Sequence, residues 1–426
     1  MRLSIQGWRS RRDEKKHDLL GGEGCNSCII MHLYLHFVAY PRHSSSGLES
    51  LQSKVLCTRR PCSCVPKVVN MIEKEKIWDL LEGYDQKNLT IATVCSHSSL
   101  QIFHAARKEG FKTLGICLGK PPKFYDAFPL AKPDAFLSLD SYSALLDETD
   151  KLIEENAIII AHGSLVEYLG SDKFESLPVP TYGNRRSLGW ESDRDLEREW
   201  LSKAGIDLPR RFQDPADINQ PVIVKYHGAK GGRGFFISKN KAEYESKVDA
   251  TKRHTIQEFI LGTRYYIHYF YSPIRSKGYK LSNGILEMLG IDRRVESNAD
   301  EIFRIGSMNE LEEAGIFPSF VVTGNIPLVL RESLLPKAFE LGERVVETSF
   351  ELFGGMIGPF CLETIVTDDL KFKVFEISAR IVAGTNVFIS GSPYSDLIEP
   401  DLSTGKRIAQ EIALARDTGR FCEIIS

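Results

Sequence analysis

Near the far end of the chain, Pro359-Phe-Cys-Leu-Glu-Thr-Ile-Val366 and Lys371-Phe-Lys-Val-Phe-Glu-Ile-Ser378 are strand-like, and Thr367-Asp-Asp-Leu370 between them has the composition of a turn. The stretch reads as a β-hairpin. With its turn centred between Asp369 and Leu370, Glu363 falls opposite Glu376. Two carboxylates facing each other on otherwise apolar strands repel by about 3 kcal/mol at about 5 Å and an effective dielectric of about 20. Something must offset that repulsion. A divalent cation is the natural counter-charge, because magnesium is held by one or two carboxylates together with substrate phosphates and water. The competing reading leaves one glutamate in solvent, or pairs it with Lys371, Lys373 or Arg380.

Working back along the chain, Pro221-Val-Ile-Val-Lys225 is a strand, His227-Gly-Ala-Lys-Gly-Gly-Arg-Gly234 a basic, glycine-rich loop, and Phe235 to Ser238 a second strand. A P-loop would need G-x-x-x-x-G-K-[ST] opening a helix, and that is absent. A strand, a loop with Lys230, Gly231, Gly232, Arg233 and Gly234, and a returning strand describe a hairpin lid whose amides can fold over phosphates. A merely mobile hairpin has the same look. Thr255-Ile-Gln-Glu-Phe-Ile-Leu-Gly262, followed by an aromatic strand from Tyr265 to Tyr271, suits an adenine and ribose slot with Glu258 beside it, though a plain core strand would read alike.

Further upstream, Leu89-Thr-Ile-Ala-Thr-Val-Cys95 is a short run rich in β-branched residues, as in a buried parallel strand. It follows a helix over about 72–82 and runs into Ser96-His-Ser-Ser99 and a helical pattern carrying Leu100, Phe103 and Ala106. Strands over 113–118, 134–139 and 157–161 extend the unit into a small parallel sheet. In such sheets ligands bind beyond the carboxyl ends of strands, where helix N-termini offer amides to anions. Two loops, Ser96-His97-Ser98 and His162-Gly163-Ser164, occupy that edge. A single Ser before a helix is only a cap; two His/Ser loops on one edge point to a phosphate or nucleotide.

Composition excludes some alternatives. With 54 Lys plus Arg against 57 Asp plus Glu, the net charge of -3 gives no basic field for nucleic acid or membrane surfaces. No run reaches the roughly eighteen apolar residues of a membrane span; the stretch from Ile29 to Tyr40 is broken by His32 and His36, and no small-x-small cleavage site follows it. Residues 1–70 are different in kind, with 11 basic against 5 acidic residues, whereas the remainder carries 43 against 52. They also hold Cys25, Cys28, Cys57, Cys62 and Cys64, a spacing that fits structural zinc poorly, and read as a disordered tail or a stretch upstream of a start at Met71. Cys95, Cys117, Cys361 and Cys422 lie scattered in apolar surroundings, which suits reduced thiols in the cytoplasm.

A lysine-bearing strand before a glycine-rich lid, a Q-E-F segment and two strand glutamates, the second followed by I-S-A-R, resemble the ATP-grasp pattern. The motifs S-H-S-S-L, H-G-S, G-N-R-R, W-E-S-D-R, G-A-K-G-G-R-G, Y-Y-I-H-Y-F-Y-S-P, T-G-N-I-P, R-E-S-L-L-P and G-P-F-C-L go further. From Met71 to Ser426 the chain resembles the archaeal formate-dependent 5-formaminoimidazole-4-carboxamide ribonucleotide (FAICAR) synthetases. The resemblance implies an α/β fold of mixed α+β character, with a Rossmann-like parallel sheet over 71–190, a lid subdomain over 191–270 and a metal-bearing subdomain over 271–426. It implies ligation of formate to 5-aminoimidazole-4-carboxamide ribonucleotide (AICAR) through formyl phosphate, with ATP as co-substrate, magnesium or manganese as cofactor, and a homo-oligomer.

By motif, His97, Ser164 and Asn325 match ribonucleotide contacts, Lys225, the loop 230–234, Glu258 and Glu296 match ATP contacts, and Glu363 and Glu376 match the metal ligands. Arg185, Arg186 and Arg380 are candidates for formate or phosphate, since guanidinium forks suit such anions, although surface ion pairs are their commoner use. Ser378 stands where the general ATP-grasp pattern has Asn, while Val295 and Ala161 replace the family's Tyr and Pro. Two alternatives stand beside this reading: an ATP-grasp ligase for another acid and amine, and a non-catalytic nucleotide binder.

Overall fold

In the computed structural model, residues 72–226, 234–306, 308–315, 320–389 and 392–426 are described. By its contacts the chain divides into Met1–Ser63 and Cys64–Ser426, and every described residue belongs to the second unit. The readings placed on the first seventy residues, and those on Lys230, Gly231, Gly232 and Arg233, therefore lie outside the described residues.

Three sheets carry the fold. The first holds β1 (Thr90–Val94), β2 (Lys112–Leu118), β3 (Ala135–Leu139), β4 (Ala157–Ile160) and β5 (Thr181–Tyr182), all parallel in the order β3-β2-β1-β4-β5. The β-branched runs of β1 and β4, at the centre, are buried on both faces, as a parallel sheet with helical cover requires. Part of that cover comes from the far end of the chain. Helix Thr404–Thr418 lies on helix Ser99–Lys108, and Gly405 permits the approach, since a Cβ there would stand 2.6 Å from the Gln101 carbonyl oxygen. The chain then returns to β5, where Ser426 and Thr181 exchange two main-chain hydrogen bonds of 3.0 Å.

A second, antiparallel sheet comprises β6 (Arg211–Phe212), β7 (Val222–Tyr226), β8 (Phe235–Ser238) and β9 (His254–Glu258), ordered β6-β9-β7-β8 over a small core of its own. The third contains β10 (Thr263–Ser272), β11 (Tyr279–Lys280), β12 (Ile285–Glu296), β13 (Val322–Pro327), β14 (Gly358–Val366) and β15 (Phe372–Ser378). It runs β11-β12-β10-β14-β15, with β13 also on β12. Its two faces differ because side chains alternate along a strand. One face presents Ile267, Tyr269, Met288, Phe360 and Leu362 to helix Leu335–Phe353, where Gly342 admits the Tyr269 ring. The other face carries Arg264, Tyr266, His268, Asp292, Arg294, Glu296, Cys361 and Glu363.

The hairpin pairs Glu363 with Glu376, but by a different route from the expected one. Val366 pairs with Phe372, so the turn centres on Asp369, with Leu370 in the left-handed region at φ +61°. Continued regularly, that register would bring Phe375 to Glu363. A bulge between Glu363 and Thr364 absorbs Phe375 and restores Glu376 to its place.

Candidate active site

Glu363 is buried and Glu376 is open to the cleft, on the polar face of the third sheet. None of the cations offered by the competing reading pairs with them. Lys371 meets Asp369, Lys373 meets Asp207 and Arg380 meets Glu191, each at 2.7 Å. The counter-charge is Arg294 on β12, whose Nη2 lies 2.7 Å from Glu363 Oε1 and whose guanidinium sits 3.9 Å over the Tyr266 ring. Arg294 serves Glu363, and the repulsion falls on Glu376. Its carboxyl is pushed up to about 7, first by Glu363 and then by desolvation.

Two further acids hold the strand that bears Glu376. From helix Arg194–Lys203, Glu197 accepts the Ile377 N–H at 2.7 Å; from helix Arg186–Ser192, Glu191 accepts the Ala379 N–H at 2.8 Å. Both acids are raised by burial. Neither stands out in the sequence, because a glutamate at a helical position reads as surface; Glu191 falls within W-E-S-D-R, which is the one available signal.

Across the cleft, Lys225 and Glu376 line one cavity together with Arg194, Glu197, Thr255 and Gln257. Burial lowers the Lys225 ammonium, and Glu376 opposes that shift. Gly234 closes the lid hairpin, with its carbonyl accepting the Tyr226 N–H at 2.9 Å at φ +73°. Of the Gln257-Glu258 pair, strand alternation brings Gln257 to this cavity. The Glu258 carboxylate accepts the Arg210 N–H at 3.0 Å. Glu296 lies at the end of β12 with Arg264 at 3.2 Å, and Arg264 in turn reaches the Phe375 ring at 6.0 Å. Phe375 is also 6.0 Å from Lys225 Nζ.

The two His/Ser loops meet as expected. Ser96 and Ser164 hydroxyls are 2.7 Å apart, and the His97 and His162 rings stand 4.6 Å apart. Ser98 takes a left-handed φ of +67°, a costly conformation for a residue with a Cβ. It is held there by its hydroxyl on the Val382 carbonyl at 3.2 Å and by His97 Nδ1 at 3.0 Å. His162 Nε2 donates to the Val94 carbonyl at 3.0 Å, and its Nδ1 accepts the Ser164 N–H at 3.3 Å, which fixes a neutral tautomer. Burial lowers His97 to about 3 and His162 to about 4, with the Arg380 charge adding to both. Gly163 keeps the centre open, since a Cβ there would stand 3.1 Å from the Arg380 guanidinium and 3.2 Å from His97 Nε2.

Arg380 joins the cluster and also lines a small cavity with Arg185. Arg185 is buried and donates to the carbonyls of Leu177 at 2.7 Å and Val179 at 3.0 Å, to Thr181 and to Ser426, which ties the chain's end to the first sheet, while its Nε has no partner among the described residues. Arg186 is exposed, and its charge is felt by Lys74 and Glu175, outside the cleft residues. Asn325, on β13, donates its Nδ2 to Asp292 Oδ2 at 2.7 Å.

The carboxylate pair fits a divalent cation. It consists of facing hard oxygen ligands, of which Glu376, open to the cleft, is raised first by the charge of Glu363. Among the described residues no group of three or more His, Cys, Asp or Glu could hold a metal by itself. Phosphate oxygens would complete such a site. Among the same residues no helix is long and apolar enough to cross a membrane, and Cys95, Cys117, Cys361 and Cys422 are free thiols.

Two family profiles match, "Protein of unknown function (DUF1246)" over residues 91–212 and "Domain of unknown function (DUF1297)" over 238–426. A 5-formaminoimidazole-4-carboxamide-1-(beta)-D-ribofuranosyl 5'-monophosphate synthetase of Methanothrix thermoacetophila is 76% identical over 356 residues, 84% of this chain and 100% of the relative. Its counterpart in Pyrococcus horikoshii is 48% identical over 349 residues, 79% of this chain and 99% of the relative. The crystal structure of an IMP biosynthesis protein PurP from Thermococcus kodakaraensis is 31% identical with a TM-score of 0.60, covering 79% of this chain and 100% of that one. An N5-carboxyaminoimidazole ribonucleotide synthetase, purK, at 13% identity and a TM-score of 0.53 over 76% of this chain and 77% of its own, shares the fold. A parallel sheet followed by two antiparallel sheets, with a half-buried lysine sharing a cavity with a strand carboxylate, defines an ATP-grasp ligase. The chain belongs to the family of 5-formaminoimidazole-4-carboxamide ribonucleotide synthetases.

Proposed function

We propose that this protein joins formate to the 5-amino group of AICAR at the expense of ATP, giving FAICAR, ADP and phosphate. One observation carries the reading. β15 places Glu376 in the cavity that Lys225 also lines, and two residues past the strand's end at Ser378 the chain sets the Arg380 guanidinium against Gly163, beside His97. Four residues of chain span at most about 14 Å, a reach that suits an acyl phosphate made at one end and an amine held at the other. The names of the relatives supply the substrates.

In this mechanism a formate oxygen attacks the γ-phosphorus, the bond to ADP breaks, and formyl phosphate results. The amine then attacks the formyl carbon, phosphate leaves, and the amine proton passes to phosphate or solvent. Little covalent chemistry falls to the protein, so positioning and charge carry the rate. Lys225 and the lid loop with Lys230 and Arg233 bind the phosphates, and Glu296 with Arg264 borders the nucleotide. Glu363 and Glu376 would hold a magnesium ion, which when bound would supply positive charge to the phosphate oxygens. Arg380 offers its guanidinium to formate or the acyl phosphate, while His97, Ser164 and Asn325 hold the ribonucleotide. His97, kept neutral by burial, presents a hydrogen-bonding ring that brings no charge beside the amine.

ADP release measured with ATP and magnesium, omitting formate and AICAR in turn, tests the proposal. Turnover that requires both is expected. Turnover indifferent to AICAR would sink it in favour of another acid and amine.

A further inference from the structure

Behind Asn325 lies a buried pair of groups that the reaction as described does not use. Asp292 on β12 is fully buried, and His268 on β10 is nearly so, although both stand on the polar face of the third sheet. Asp292 Oδ1 is hydrogen-bonded to His268 Nε2, and Oδ2 accepts from Asn325 Nδ2 at 2.7 Å. Gly384 presses on the same carboxylate so closely that any Cβ there would overlap it. Asp292 is thus gripped from three elements: β10, β13 and the 383–388 turn. Buried this deeply, it touches no ligand itself.

What it can do is fix an amide. With His268 on one oxygen of Asp292, the other meets the NH2 arm of Asn325 and accepts from it. The carbonyl arm, Oδ1, is then the one left to meet a ligand. Asn325 is half-buried and pairs across the strands with Arg294, whose guanidinium reaches Glu363, so its side chain shares the face on which the carboxylate pair lies. Without Asp292 an asparagine could present either arm at little cost.

We propose that His268 and Asp292 are positioning residues that lock Asn325 as a hydrogen-bond acceptor, so that the site selects an acceptor nucleotide offering an N–H at that point. The inference rests on the ligase reading and deepens it. AICAR meets the requirement through its amine and its carboxamide. A site built around one arm of an amide rejects the mismatched partner strongly, because a donor facing a donor leaves both unpaired.

The test exchanges the two side chains. In Asp292→Asn, the new amide keeps its oxygen on His268 and turns its NH2 to Asn325, which must then show its own NH2 to the ligand. Asn325→Asp alone sets two carboxylates against each other. The double variant D292N/N325D restores the original pattern, with an amide donating to a carboxylate whose second oxygen accepts from the ligand. Each single variant is expected to raise KM for AICAR by about tenfold or more while KM for ATP stays within about twofold, and the double variant to return to within about threefold of the unmutated chain. If Asp292→Asn does not fold, Asn325→Asp and the double variant still make the comparison. An unchanged KM for AICAR in the singles, or a double variant no better than they are, overturns the inference. Absence of turnover in the unmutated chain overturns the ligase reading and this inference with it.

Discussion

The two halves of the cleft are built in different ways. The half proposed for phosphate rests on register, because Glu363 and Glu376 face each other as neighbours on a sheet, Arg294 covers the first, and Glu191 and Glu197 pin the strand that bears the second. The half proposed for the ribonucleotide rests on loops, where His97, Ser164 and Arg380 come from separate parts of the chain and meet around one glycine, with Ser98 in a strained conformation. A sheet half fails when a charge is changed. A loop half fails when a contact or a proton is misplaced, and it can do so without disturbing the chemistry at the other end.

The largest effect should come from the sheet half. Glu376→Gln removes a charge without changing shape, and we expect ADP release to fall by on the order of 10³-fold with the melting temperature unchanged or raised, since a repulsion is also removed. Turnover close to that of the unmutated chain would break the metal assignment. In the loop half, Arg380→Ala should raise KM for formate or AICAR by about 10- to 100-fold, the worth of a charged hydrogen bond. A fall in kcat with both KM values unchanged would move Arg380 to the phosphate half.

Protonation sharpens the contrast. His162 is neutral and lowered to about 4 by burial, with the Arg380 charge against it and the His97 ring beside it. The unfolded chain takes up this proton below about 6.5, whereas the folded chain resists until about 4. Stability is therefore whole above about pH 6.5 and drains away as the pH falls, by about 2 kcal/mol at about pH 5. Urea midpoints across this range should show the drop, and His162→Gln should remove its share and leave that of His97, which burial lowers to about 3. The smallest functional effect is expected at Arg185, whose donors go to main-chain oxygens. Arg185→Lys should lower the melting temperature and leave both KM values within about twofold, as a residue tying chain ends together should. A large rise in KM for formate would restore Arg185 to the site.

Much of the site was legible. The His/Ser loops were readable because a parallel strand followed by a helix has one functional edge, and the lysine strand because its apolar period is short and uninterrupted. The facing glutamates were readable from hairpin geometry, yet their agreement with the structure depends on two offsetting departures: a turn centred on Asp369 and a bulge at Phe375. Of Gln257 and Glu258 the first lines the cavity, a difference that strand alternation sets and the motif does not mark.

By itself the sequence determined what is local. Side-chain alternation, turn composition and the caps of helices follow from backbone geometry within a few residues, and these establish the strands and the hairpins that join them. Only the tertiary structure decided which charges answer each other. Arg294 reaches Glu363 across 69 positions, Glu197 reaches Ile377 across 180 and Arg185 reaches Ser426 across 241. No local period or propensity encodes such partners. They are chosen by the packing of sheets and helices, because a buried charge must find a counter-charge or a hydrogen bond wherever the fold brings one within reach.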